Sequence, residues 1–323
     1  MNESTLRIPY GILSGVATAS SYPDGQPRDI ILREKNVVVT HVGDLIPWYD
    51  ADSPRRKYKS SLSFHPNGLI KSVSLQEQQE IQTPIGELPA ELVTFYDTGE
   101  LKRCFVLDGQ ISGFWSIADE RKLNVPLRFA FPFATFQSMI SGICFFQSGS
   151  IRSLTLYPGE EISVKVSALG DFPVRNGFSL YETGELRSLE PAFPVAVETP
   201  IGTLHAYDAQ AVGISADSGS LLLDERGRLS SLTSTTDRIL ANVPGYPLCT
   251  FAPLPMPDPI DPRQTIPKPL KIRFCYEEST VTIGDAAPLP MNREWFTVIA
   301  GEDISGCSPT DCASCKRCPG KAE

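Results

Sequence analysis

The chain has 323 residues, enough for one large domain or two ordinary ones, and a formal net charge of −9. This acidic balance argues against a general nucleic-acid surface, which requires clustered positive charge. The 28 prolines and the scarcity of long periodic apolar stretches favour strands and turns over helices.

The N-terminal segment carries no visible export signal. Residues 1–7 lack a basic start followed by an apolar core. Because the chain also contains eight cysteines, we expect a reducing, cytoplasmic location.

One phrase recurs six times along the chain. It consists of an aromatic or aliphatic residue, a short polar turn, a glycine, and then often leucine or isoleucine followed by a basic residue. A polar residue before glycine favours a tight reversal, and alternating apolar and polar residues mark half-buried strands on both sides. The copies centre on Gly25, Gly68, Gly99, Gly149, Gly184 and Gly227.

A second glycine follows most copies at a nearly constant distance. The contexts at 83–86 and 199–202 read Thr-Pro-Ile-Gly, which suits the end of an edge or terminal strand because proline cannot donate to a ladder. The copy at Gly99 lacks this second half and runs into Gly113 instead. The second glycines are Gly43, Gly86, Gly202 and Gly245, each 18 residues on, and Gly170, 21 residues on.

These repeats predict an all-β fold. A single hairpin cannot bury its own apolar face, so several must join one sheet or stack. We therefore predict an array of about six β-hairpin repeats over residues 1–251, forming an open twisted sheet or a solenoid-like body.

The turn phrase resembles the repeats of a known family. The segments 95–102 (FYDTGELK) and 180–187 (LYETGELR) resemble the repeats of the MORN-variant, antitoxin-like family. Segment 223–232 (LDERGRLSSL) resembles, less closely, the YD repeats of large secreted toxins. The resemblance implies a β-hairpin array and transfers no catalytic residue.

Between the first two copies lies a basic segment, residues 55–59 (RRKYK). Two interpretations stay open. The segment is either a solvated loop or a local contact for an anion or a partner.

The most apolar stretch covers residues 125–146. Arg128, Pro132 and Gln137 interrupt it, so it does not fit a membrane span of ~20 apolar residues. We expect its aromatic residues to fill the centre of the core: Phe129, Phe131, Phe133, Phe136, Phe145 and Phe146.

The region after the repeats divides into three parts. Residues 252–270 are rich in proline and predict an extended linker or strap. Residues 271–306 contain strand patterns at 271–276, 279–283 and 295–299, and they predict a small β cap that covers a sheet edge. Residues 307–323 form a cysteine-rich tail.

The tail is the one constellation that carries chemistry. Its spacing is C-x4-C-x2-C-x2-C-P, and two cysteines three apart can turn both sulfurs toward one metal. The run partly resembles that of bacterial ferredoxins, but it lacks the x3-Cys step and adds an upstream cysteine. The candidate metal ligands are Cys307, Cys312, Cys315 and Cys318.

Three states of the tail stay open. The four thiolates bind an iron–sulfur cluster, or a structural zinc ion, or the tail carries only reduced or oxidised thiols. The other four cysteines are scattered, which is typical of small buried apolar residues. They are Cys104, Cys144, Cys249 and Cys275.

No catalytic motif is visible. The three histidines, His41, His65 and His205, are not paired in sequence with a nucleophile motif, and we interpret them as surface or hydrogen-bonded residues. We therefore predict a non-enzymatic scaffold that binds a protein partner and no membrane, with a metal- or iron–sulfur-binding tail. The alternatives are an electron-transfer protein with an iron–sulfur cluster, and a hydrolase or lyase on a β-scaffold.

Overall fold

The computed structural model describes residues 5–50, 55–56, 59–109, 114–167, 169–211, 215–259 and 261–301. Strands make up 54% of the chain and helix 3%, which confirms the predicted all-β class. The chain divides into two compact units. The first comprises residues 1–190, 212–219 and 225–227, and the second comprises residues 191–211, 220–224 and 228–323.

Unit 1 contains seventeen strands and one short helix among the described residues. No helix in these described ranges is long and apolar enough to cross a membrane. The elements are β1 (Leu6–Ile8), β2 (Gly11–Leu13), β3 (Val16–Ser21), β4 (Pro27–Leu32), β5 (Val38–Thr40), β6 (Gly43–Leu45), β7 (Leu62–Phe64), β8 (Ile70–Thr83), β9 (Gly86–Phe95), β10 (Leu101–Phe105), α1 (Ile117–Arg121), β11 (Leu127–Phe131), β12 (Ala134–Ser138), β13 (Ile140–Phe145), β14 (Ile151–Leu156), β15 (Ile162–Val166), β16 (Gly170–Leu180) and β17 (Leu186–Pro191).

Unit 2 contains the remaining elements of the described ranges. They are β18 (Val195–Thr199), β19 (Gly202–Ala206), β20 (Leu221–Leu223), β21 (Leu229–Ser234), β22 (Arg238–Ala241), β23 (Cys249–Phe251), β24 (Leu254–Pro257), β25 (Thr265–Lys268), β26 (Leu270–Cys275), β27 (Thr280–Ile283), β28 (Leu289–Pro290), a 3-10 turn (Arg293–Trp295) and β29 (Phe296–Ile299).

Each unit is built on an antiparallel sheet. In unit 1 the strand order is β17-β16-β14-β13-β10-β9-β8-β7-β4-β3, and β15 also pairs with β16. In unit 2 the order is β28-β27-β26-β21-β20. The strands predicted at 271–276 and 279–283 thus add to the edge of β21, while the one predicted at 295–299 pairs with β22.

The glycine phrase folds as one turn that is repeated. In the third copy the backbone N–H of Tyr96 donates to the carbonyl of Glu100 at 2.9 Å, and that of Gly99 donates to Tyr96 at 3.0 Å. Gly99 adopts φ = +104°, a region that side chains with a Cβ rarely enter. The same pair of hydrogen bonds closes the turns that begin at Tyr22, His65, Phe146 and Tyr181.

A β-bulge follows four of these turns. In the fourth hairpin Cys144 pairs with Ser153 and Phe145 with Ile151, so Arg152 is an extra residue without a cross-strand partner. The basic residue of the phrase occupies this position in three other hairpins of unit 1, as Arg28, Lys71 and Lys102. In the hairpin of unit 2 the extra residue is Ser230.

Aromatic side chains join successive turns. Tyr22 Oη donates to the carbonyl oxygen of Phe64 at 2.8 Å, and Tyr96 Oη donates to that of Phe145 at 2.8 Å. His65 Nε2 makes the equivalent contact, at 3.1 Å, with the carbonyl that precedes the third turn. Each contact fixes one hairpin to the next, so the turns depend on one another.

The apolar core of unit 1 follows a cross-strand row. Its members pair directly across neighbouring strands and are almost completely buried: Ile30, Leu62, Val73, Val93, Cys104, Ile143, Leu154 and Phe178. The hairpin β11–β12 adds aromatic rings to this core. Phe131, Phe133 and Phe136 pack edge-on against Phe178 at centroid distances of 5.1–6.3 Å.

The second glycine of the repeat closes a hairpin with a two-residue loop. Thr83 pairs with Gly86, and its hydroxyl donates to the carbonyl of Gly86 at 2.6 Å while accepting from the N–H of Ile85 at 3.3 Å. The segment 199–202 repeats both contacts. The proline therefore lies in a loop between two paired strands, where the missing N–H costs no ladder hydrogen bond.

The structure contains a turn that the glycine pattern missed. Strands β26 and β27 are joined at Tyr276–Ser279, where Ser279 takes the place of glycine with φ = +52°. The proline-rich segment also differs from expectation, because β24 and β25 pair as a hairpin rather than staying without internal hydrogen bonds. A search for glycine cannot find a turn whose left-handed residue is serine.

Replacing Ser279 by glycine should raise the free energy of unfolding by ~0.5–1 kcal/mol. The reason is that a side chain in the left-handed region is strained and glycine is not. Urea titration followed by circular dichroism measures the change. As a matched control, Gly184→Ala at φ = +96°, where the space around the added Cβ is open, should lower stability by a similar amount. Equal stability of all three proteins would contradict the account.

Candidate functional site

The basic residue of each phrase forms a row along unit 1, which we call the bulge row. It consists of Arg28, Lys71, Lys102, Arg152 and, at the same position of the phrase, Arg187. These residues lie on β4, β8, β10, β14 and β17, which are every second strand of the sheet. Since neighbouring strands lie ~4.8 Å apart, the row places one cation about every 10 Å.

Aromatic rings support the cations of the row. Lys102 Nζ lies 5.2 Å from the ring centroid of Tyr96, and Arg152 Cζ lies 5.9 Å from that of Phe146. In both cases the ring belongs to the residue that begins the turn, six positions before the cation. The repeat thus builds an aromatic–cation pair at the same place in successive hairpins.

A groove of about 640 Å³ opens at the end of the bulge row. Half-buried side chains form its floor: Phe146, Arg152, Tyr181 and Arg187. Exposed side chains form its rim: Glu182, Thr183, Glu185 and Glu225. The groove therefore has a cationic and aromatic floor below an acidic rim.

The two arginines of the floor have no carboxylate within ion-pair distance among the described residues. The nearby Asp217 carboxylate binds Arg103 at 2.7 Å and the Ser153 hydroxyl at 2.6 Å. Burial alone would raise the pKa of Asp217, but these contacts lower it below its usual range. Arg187 reaches only the backbone carbonyl of Asp217, at 3.5 Å.

A second charged cluster lies in the interior of unit 1. The Arg55 guanidinium donates to both carboxylate oxygens of Glu91, at 2.7 Å each, and to both of Glu120, at 2.7 and 2.6 Å. Arg56, 3% exposed, lies 2.8 Å from Glu91. Lys59 pairs with Asp108, completing a network of three cations and three carboxylates.

Helix α1 brings Glu120 into this network. Ser116 caps the helix by accepting from the N–H of Asp119 at 3.1 Å, and Trp115 Nε1 donates to Glu120 at 2.6 Å. Burial alone would raise the pKa of Glu120, but hydrogen bonds from Arg55 and Trp115 lower it. Burial would likewise lower the pKa of Arg55, and its two carboxylate partners raise it instead.

For Arg55 and Arg56, this network corrects the interpretation of the basic segment as a solvated loop, while Lys57 and Tyr58 lie outside the described residues. Arg56 is buried, the Arg55 side chain is only 12% exposed, and both bind carboxylates of the same unit. The open alternative of an external anion site also fails for these two arginines, since the chain's own glutamates fill their hydrogen-bonding positions. Sequence spacing does not reveal this, because Glu91 and Glu120 are 36 and 65 residues from Arg55.

The three histidines make internal contacts. His205 Nδ1 lies 2.8 Å from the carboxylate of Asp237, which is fully buried and also accepts the backbone N–H of His205. His65 contacts a backbone carbonyl, and His41 packs edge-on against Phe95 at 5.9 Å. His205 and His65 thus find hydrogen-bond partners within the fold, whereas His41 is exposed and makes a ring contact.

The structure describes the four cysteines that precede the tail, and all four are free thiols. Cys104 and Cys144 are buried, and burial raises the pKa of the Cys104 thiol to about 12. Cys249 and Cys275 are half-buried free thiols. The predicted metal ligands Cys307, Cys312, Cys315 and Cys318 lie outside the described residues. Within the described part of the chain, no three His, Cys, Asp or Glu side chains converge as a metal site.

Comparison of the chain with protein-family models, with curated proteins and with solved structures found no match. The resemblance of the turn phrase to MORN-variant repeats therefore rests on short segments alone.

Sequence reasoning named every residue of the bulge row without recognising its common role. The sequence signal is a basic residue three positions after the turn glycine, and the bulge that exposes it appears only in the strand register. Asp217 had no sequence signal, because it lies outside the repeated phrase and reaches Arg103 across 114 residues.

Replacing Arg55 by glutamine should lower the free energy of unfolding by about 3–5 kcal/mol. The reason is that the substitution leaves two buried carboxylates without their shared cation. Chemical denaturation of purified protein measures the loss. The exposed pair Arg28–Asp29 supplies the control, since Arg28→Gln should cost less than about 1 kcal/mol. Equal effects of the two substitutions would contradict a structural role for the network.

Proposed function

We propose that this chain is a non-enzymatic scaffold that binds a protein partner along the bulge row of unit 1. The observation that supports the proposal is the repeated placement of a cation outside the ladder in four hairpins, in two of them beside an aromatic ring. Bulges that re-aim a side chain are over-represented where strands serve a function.

The geometry of the row favours an extended protein surface as the partner. Its cations are about 10 Å apart, and five of them span nine strands. Acidic residues interrupt the row at alternate turns, as at Asp24, Asp97 and Glu182. A partner with mixed charges fits this pattern better than a uniform polyanion such as nucleic acid.

The proposal includes a metal centre in the tail. Cys307, Cys312, Cys315 and Cys318 supply four thiolates within twelve residues, a donor set that suits an iron–sulfur cluster or a zinc ion. Lys316 and Arg317 would offset part of the negative charge of the thiolates. The tail would then add a metal-bearing segment to the repeat body in a reducing cytoplasm.

Removing the charges of the bulge row should weaken partner binding about tenfold. The test variant combines Lys71→Gln, Lys102→Gln and Arg152→Gln, which keeps side-chain length while removing charge. The control combines Arg33→Gln, Lys35→Gln and Arg128→Gln, three exposed cations outside the row. Quantitative mass spectrometry of partners captured from native lysate compares the proteins. Equal capture by both variants would refute the bulge row as the partner surface.

Protein purified without oxygen should contain metal. An iron–sulfur cluster gives brown protein with absorbance near ~400 nm, whereas zinc gives colourless protein with one equivalent of metal. Substituting Cys312, Cys315 and Cys318 together by serine should remove the metal. The control is Cys249→Ser with Cys275→Ser, which should leave the metal content unchanged. Metal-free wild-type protein would overturn the metal centre and leave the scaffold proposal standing.

A further inference from the structure

The charges that line the groove at the end of the bulge row indicate the chemistry of the partner. This inference deepens the proposed function and rests on it. The floor presents two half-buried arginines from equivalent positions of successive hairpins, Arg152 and Arg187. The charge of Arg152 helps to lower the pKa of Asp217, and Arg187 contacts the Asp217 backbone carbonyl at 3.5 Å. Neither arginine has a carboxylate within ion-pair distance in the described ranges, so both guanidinium groups can bind an anionic group.

The acidic rim restricts which anion fits. Glu182, Glu185 and Glu225 are exposed above the floor, and the hydrogen bond from the Thr183 hydroxyl lowers the pKa of the Glu185 carboxyl. A chain with a negative charge at every residue would place some charges against these carboxylates. A segment with isolated carboxylates and basic side chains between them would avoid that repulsion.

The chain itself shows how a segment with a single carboxylate packs on this sheet. The stretch that contains Ala216 and Asp217 lies against β14, where the N–H of Ala216 donates to the Thr155 hydroxyl at 3.0 Å. The Asp217 carboxylate then binds Arg103 at 2.7 Å. This internal contact uses one backbone hydrogen bond and one arginine–carboxylate pair, and the groove offers two further arginines beside it.

We propose that the groove takes an extended partner segment in which acidic and basic residues alternate. In an extended strand, alternate side chains point to opposite faces and residues on one face are ~7 Å apart. The long, flexible side chains of two arginines that leave the backbone about 10 Å apart can reach carboxylates at that spacing. The acidic face of such a segment meets Arg152 and Arg187 on the floor, and its lysines reach the glutamates of the rim. The rings of Phe146 and Tyr181 pack against the aliphatic stems.

The test uses the full chain and labelled ten-residue peptides in fluorescence anisotropy. The probe alternates lysine and glutamate, and the comparison peptide alternates lysine and glutamine. We expect the probe to bind and to weaken with added salt, because its contacts are ionic. The double substitution Arg152→Gln with Arg187→Gln should weaken binding at least tenfold, since it removes two charge-assisted contacts. Arg33→Gln, an exposed arginine elsewhere in unit 1, should leave binding unchanged.

A second variant tests the acidic rim of the groove and does not depend on the arginine variant being folded. Glu182→Gln with Glu185→Gln changes only exposed side chains and should raise the affinity for decaglutamate about threefold. Circular dichroism verifies that each variant is folded.

Three outcomes would overturn the inference. They are equal binding of the lysine–glutamine peptide, unchanged binding by the folded arginine variant, and tighter binding of decaglutamate or a ten-nucleotide oligo-dT than of the probe. If the probe does not bind while the bulge row still captures a partner, the inference is wrong and the proposed function stands. Equal capture by the bulge-row variant and its control would sink the proposed function itself.

Discussion

Each of the six repeated hairpins turns through a glycine with positive φ, and the rest of the repeat depends on that turn. The turn closes with two backbone hydrogen bonds, as between Tyr96, Gly99 and Glu100, and its geometry leads directly into the bulge. A bulge inserts one residue that the ladder cannot pair. The side chain at this position therefore has no role in strand pairing and can contact a ligand. The repeat places a lysine or an arginine there.

The turns also couple the hairpins to one another. A tyrosine at the start of one turn donates to the carbonyl that precedes the next turn. A misplaced turn would therefore disturb two hairpins of the sheet. The buried Arg55 network adds a constraint of another kind. It ties residues far apart in sequence through charges that are costly to bury unless all partners are present. Local turns and one long-range electrostatic contact thus act together to position the groove and the bulge row.

Charge has opposite roles in the two places. In the interior, every carboxylate of the Arg55 network is matched by a cation, and its exposed fraction is small. At the groove, Arg152 and Arg187 stay half-buried and unmatched by carboxylates within ion-pair distance in the described ranges. Matched buried charges stabilise a unique fold, whereas unmatched charges at a concave surface attract a ligand. Arginine occurs in both places, so what distinguishes the structural cluster from the candidate site is whether the arginine has a carboxylate partner.

The sequence alone determined the all-β class, the six glycine turns and the identity of every cation in the bulge row. It could do so because turn chemistry and strand alternation are local, and a repeated phrase displays them several times. It missed the turn at Ser279, where another residue takes the glycine conformation. It also gave the basic segment at 55–59 a surface role. Only the tertiary structure decided that Arg55 is buried against Glu91 and Glu120, because electrostatic partners are chosen by proximity in space and not by spacing along the chain.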